Sequence, residues 1–112
     1  MSGLNIKFRV TTVNKGDYYT AICHFLNVVT KGRTEILALK NLKEEILFLF
    51  DICKDKGTIK EMLDIRVSKY KDPRSITKDI GFEKVPDEQW LDIGLPLEAM
   101  EQINKYGRLR VN

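Results

Sequence analysis

Histidine occurs once in this 112-residue chain, cysteine twice and proline three times. Cys23 and Cys53 stand far apart, outside any Cys-x-x-Cys pair, and His24 is the one imidazole. That inventory supplies neither a metal-ligand set nor a disulfide framework. Among apolar neighbours both cysteines read as buried, reduced thiols of a cytoplasmic protein. Long apolar runs are missing too. The longest, Ile46 to Phe50, falls far short of the roughly 20 residues a membrane span needs. No secretory leader core is visible near Met1, so no membrane contact is expected. A net charge of +3 is too small for a dedicated polyanion binder, which needs a clustered basic face. The nearest clusters are Arg66, Lys69, Tyr70, Lys71, Arg74 and Lys78, then Lys105, Arg108 and Arg110. Both read as solvated surface. A weak nucleic-acid reading attaches to the loop 66–78, and its affinity should then fall steeply with salt.

What is present is patterning. At 43% apolar and 31% charged residues the composition is that of an ordinary globule of one-domain size. Leu4, Ile6, Phe8 and Val10 alternate with polar residues, which predicts a strand over 4–13 with one apolar face. Asn14-Lys15-Gly16-Asp17 is turn chemistry, since Asn and Gly accept positive φ. A second strand follows at 18–23 and a short third at 28–31, with Asn27 suited to a left-handed bend between them.

Thr34 then caps a helix that runs to Gly57, with Glu35 at the positive end of its dipole. Leu39, Leu42, Ile46, Leu49 and Cys53 make its apolar stripe, widened by Ile36, Leu47 and Phe50. One sheet face cannot cover Ile46 to Phe50 all round, so Phe48 points into the C-terminal half or at a partner.

Further on, Leu63, Ile65 and Val67 alternate with Asp64, Arg66 and Ser68, which predicts a fourth strand near 62–69. The Thr58-Ile59-Lys60-Glu61 capping box argues for a helical turn before it. Residues 70–78 read as a loop with Pro73, and 83–87 as a turn. A strand at 88–95 and a helix at 97–106 complete the pattern, the helix opened by Pro96 and striped by Leu97, Met100, Ile103 and Tyr106. The fold class is α+β: an antiparallel sheet of three to four strands, one long helix across a face, and a C-terminal strand-helix extension. The division expected is 1–69 and 70–112.

Catalysis is not indicated. Cys23 and His24 are adjacent, and strand neighbours point to opposite faces, so they form no dyad there. Asp17 is the only acid in the first three strands, and a single carboxylate holds no metal pair. No catalytic residue, cofactor or metal is assigned.

Three stretches of residues 6–50 form a joint pattern: Phe8 and Val10, then Tyr18, Tyr19 and Ala21 after Gly16-Asp17, and then Val28, Val29, Thr30, Gly32 and Thr34. In the helix Ala38, Leu39, Asn41, Leu42, Lys43 and Glu44 continue it. In this wording the segment resembles the HicB-like antitoxin family. Where the family places Pro-x-Leu-Pro-Gly, this chain has Cys23-His24-Phe25-Leu26-Asn27, and past residue 57 the likeness stops. The resemblance implies a pared-down RNase H-like sheet and helix. It also implies a cytoplasmic, dimeric antitoxin that occludes the active site of a small HicA-like ribonuclease toxin. Possible partner contacts are Tyr18, Tyr19, Phe25, Leu26, Asn27 and Phe48. A DNA-binding ribbon-helix-helix is not expected, because 107–112 is too short for its second helix. The alternative is a free-standing, non-catalytic domain of this fold, acting as a structural or binding module without a toxin.

Overall fold

Strand β1 (Asn5–Asn14) turns through Gly16, at φ 97°, into β2 (Tyr19–Cys23). The turn is held by Lys15 N donating to Tyr18 O at 2.8 Å and by the Asn14 Oδ1 accepting from Gly16 N at 2.8 Å. A second bend with Asn27 at φ 56° leads into β3 (Val28–Gly32). The chain then enters α1 (Glu35–Lys56), α2 (Ile59–Ser68) and α3 (Ile76–Ile80), followed by β4 (Gln89–Gly94) and α4 (Leu97–Gly107). These come from a computed structural model that describes residues 5–72, 75–81 and 89–107. The turn expected at 83–87, the Pro73–Arg74 step and Arg108 and Arg110 lie outside the described residues.

The fold is α+β, with a four-stranded antiparallel sheet ordered β3-β2-β1-β4. Register sets which side chains face the helices: Val10 lies opposite Cys23, Phe8 opposite Leu91 and Ile6 opposite Ile93. The fourth strand is therefore β4, and it pairs along the first half of β1.

The strand expected near 62–69 is instead helix α2. Period-two alternation of Leu63, Ile65 and Val67 is compatible with a helix when the burial is uneven. Ile59 and Leu63, four apart, are fully buried, while Ile65 is 57% exposed. Helix α1 ends in a left-handed Gly57 (φ 67°), whose N–H reaches Lys54 O at 3.1 Å while Thr58 N reaches Cys53 O at 2.8 Å. Thr58 thus closes α1 with its backbone and opens α2 directly, leaving no room for a strand. Its hydroxyl makes no cap bond. The segment 70–78, expected as loop, carries the start of α3.

Thr34 caps α1 as its chemistry predicts, accepting from Leu37 N at 3.1 Å. The buried row of α1 is Ala38, Leu42, Ile46, Phe50 and Cys53. Leu39 and Leu49 flank it, half-buried. Ile36 (78% exposed) and Leu47 do not help cover the sheet, because rows four apart slant across a helix and carry the contact away from them. In α4, Met100, Ile103 and Tyr106 pack inward as striped, whereas Leu97 lies outside.

One core joins all these elements. At its centre Phe25 stacks on Phe8 (centroids 6.0 Å apart) and meets Tyr70 at 6.2 Å and Tyr106 at 6.5 Å. Both cysteines are buried and reduced, as expected. No helix among the described residues is long and apolar enough to cross a membrane.

Candidate functional site

β1 is longer than the partner it shares with β2. The ladder to β2 covers Val10 to Asn14, with one further bond from His24 N to Arg9 O at 3.3 Å. The remaining stretch of β1 is approached by α3, and Gly81 at its end passes so close that a Cβ there would lie 2.9 Å from Lys7 O. The positive φ of 82° at Gly81 suits this approach. Between the 24–27 bend and the end of α2 this arrangement leaves a cleft of about 320 Å³.

The floor of the cleft is a buried carboxylate. Asp79 Oδ1 accepts from Arg9 Nε at 2.8 Å, and Oδ2 accepts from the Tyr70 hydroxyl at 2.6 Å. Both oxygens are engaged, which is what makes a buried carboxylate tolerable. Burial, and then the Asp79 bond and charge, push the Tyr70 phenol well above its ordinary range. Arg66 and Lys69, one turn apart at the end of α2, line the rim with Asn27. Neither makes an ion pair with the described residues. His24 lies on the same wall, its Nε2 sharing a 2.6 Å hydrogen bond with Thr11 Oγ1.

Burial pushes the Cys23 thiol up to about 11, so a thiolate nucleophile is scarce at neutral pH. Among the described residues no three His, Cys, Asp or Glu side chains gather closely enough to hold a metal ion.

No family model, curated protein or solved structure matches this chain. The site is therefore read from geometry.

The six expected contact residues divide between core and surface. Phe25 (2% exposed) and Leu26 are in the core and offer a partner no rigid contact, while Asn27 is exposed at the cleft mouth. Tyr19 is half-buried, its hydroxyl accepting from Asn14 Nδ2 at 3.4 Å. Tyr18 is half-exposed, with the Lys31 ammonium 5.1 Å from its ring centroid. Phe48 is 59% exposed, so its ring is not buried against the C-terminal half. Lys31 connects the last two, because Lys31, Asn41, Glu44 and Phe48 line one shallow hollow between β3 and α1. On its other flank Phe48 shares a second hollow with Leu47 and Pro96.

Sequence reasoning missed Arg9 and Asp79, which meet across 70 positions. The local signal it had was the Arg66, Lys69, Tyr70 cluster, read as solvated surface. Tyr70 is in fact half-buried in the cleft wall.

Proposed function

We propose that this chain is a non-catalytic protein-binding domain of the HicB-like antitoxin kind, which keeps a small HicA-like ribonuclease inactive by covering its active site in the cytoplasm. The supporting observation is the face formed by β3 and α1. β3 is an edge strand of the sheet, with Val29 55% exposed, and Phe48 stands beside the hollow next to it. Among the described residues no strand pairs with the outer side of β3, although Asn41 of α1 engages Lys31 O there, and such an edge next to an exposed aromatic is a surface suited to a partner. The same face suits a homodimer in the absence of the toxin.

The test is to sequence the genes flanking this one for a short basic reading frame and to co-express its product with this chain, followed by purification and a ribonuclease assay; flanks that encode no such protein remove the antitoxin reading. Co-purification with suppressed RNA cleavage is expected, with both lost in Phe48→Glu. Full ribonuclease activity in the presence of excess wild-type chain removes the antitoxin reading. The second reading, a free-standing module without a toxin, is favoured by the cleft, whose Arg66, Lys69, Tyr70 and Asp79 come from the part of the chain beyond the family resemblance.

A further inference from the structure

The cleft under α2 has features that a protein-occluding face does not need. Among the described residues that line it, three cationic side chains, Arg9, Arg66 and Lys69, converge on it against one carboxylate, Asp79. Arg9 and Tyr70 already satisfy both oxygens of that carboxylate. The surplus is two positive charges, carried by Arg66 and Lys69 on one side of a helix end. A planar guanidinium fork and a mobile ammonium at that spacing can hold one multi-oxygen anion together. The exposed Asn27 supplies an amide across the mouth, and the half-buried Tyr70 gives an apolar ring beside it. The volume, about 320 Å³, is at the small end of ligand sites and leaves room for an organic group beside the anion.

We propose that this cleft binds a phosphate monoester, with Arg66 and Lys69 as its anion-holding residues. The charge decides the class: a monoester carries about −1.5 to −2 at neutral pH, matching the surplus of two. A carboxylate carries half of that and leaves one cation unmatched. A polynucleotide needs an extended basic track, whereas of the basic residues between 66 and 78 only Arg66 and Lys69 line this pocket among the described residues. The inference is independent of the antitoxin reading and stands or falls without it.

The experiment is an NMR titration of the ¹⁵N-labelled full chain at constant ionic strength with 5′-AMP, inorganic phosphate, adenosine and an RNA oligomer lacking terminal phosphates. Saturable shifts are expected at the amides of 24–27 and 66–70 with 5′-AMP, with inorganic phosphate competing and adenosine silent. Stronger binding by 5′-AMP than by phosphate assigns the organic part a place in the cleft; equal binding assigns the site to free phosphate. The double variant Arg66→Gln/Lys69→Gln is expected to weaken binding about tenfold or more, and the distant Lys40→Gln/Lys43→Gln to leave it unchanged. If the double variant does not fold, Lys69→Gln alone, on an exposed side chain, is expected to weaken binding about threefold. Four results overturn the proposal: no saturable shift with either phosphate compound, shifts elsewhere only, unaltered affinity in the rim variants, or binding of the RNA oligomer in preference to 5′-AMP.

Discussion

Five residues of the motif Val28 to Leu42 do structural work at one seam. Thr30 Oγ1 donates to Ala38 O at 2.9 Å, and Asn41 Nδ2 donates to Lys31 O at 2.7 Å. Thr34 caps the helix, and Ala38 is fully buried beneath it. Gly32 lets the two backbones touch: a Cβ there would sit 2.4 Å from Ala38 N. Gly32→Ala should therefore cost about 2–3 kcal/mol by overpacking against backbone that cannot yield, read as a lower urea midpoint. A cost below about 0.5 kcal/mol would mean that strand and helix are not welded there.

Cys23 makes a second prediction at this scale. Burial raises its folded pKa from 9.0 to about 11, so the folded chain holds that proton more tightly than the unfolded one. The associated stability is intact below pH 9.0 and is lost as pH rises through about 11. The loss should be roughly 2–3 kcal/mol, and Cys23→Ala should flatten the slope of the urea midpoint across that window. Tyr106, raised to about 12 mainly by burial, extends the decline further into alkali. A wild-type midpoint independent of pH from 9 to 11 contradicts this account.

At the scale of elements, α2 carries the main correction, and it can be tested with two side chains two positions apart. On a strand Leu63 and Ile65 share a face; on a helix they do not. Leu63→Ala should cost about 2–4 kcal/mol, the price of a cavity in the core, while Ile65→Ala should cost less than about 0.5 kcal/mol. Equal costs would restore the strand. Polar ties also hold α2 in place: Tyr106 donates to Asp64 Oδ1 at 2.9 Å and Gln102 Nε2 to the same atom at 3.2 Å. Asp64 gave no local sign of this. Helix α1, the hairpin turn, the Asn27 bend and the β4–α4 step were legible because each depends on residues within a few positions of one another. The α2 segment was not, since its alternation satisfied two periods and only packing chose between them. The cleft was illegible for a similar reason: its Asp79 acquires meaning from Arg9, a residue on another element.

At the scale of the molecule, the boundary drawn at 69/70 falls inside a shared core. β4 extends the sheet beside β1, and Ile93, Ala99, Met100 and Ile103 belong to the same buried cluster as Ile6 and Phe8. A fragment of residues 1–69 loses the strand that pairs with Asn5 to Val10 and the helix that meets Phe25 through Tyr106. It should show no cooperative thermal transition and poorly dispersed amide resonances, where the full chain gives both. A fragment that unfolds cooperatively would make the first 69 residues a domain in their own right.

The amino-acid sequence by itself determined the hairpin turn, the Asn27 bend, α1 with its Thr34 and Gly57 caps, and the β4–α4 step, because turn, capping and periodic burial are short-range preferences that those segments express alone. It also determined that both cysteines lie inside. Tertiary structure alone decided that β4 lies beside β1 and that residues 59–68 coil rather than extend. It also decided that a carboxylate, a phenol and three cations from separate elements share one cleft. Those outcomes depend on which surfaces bury one another and which charges end up facing, and distance along the chain carries no record of either.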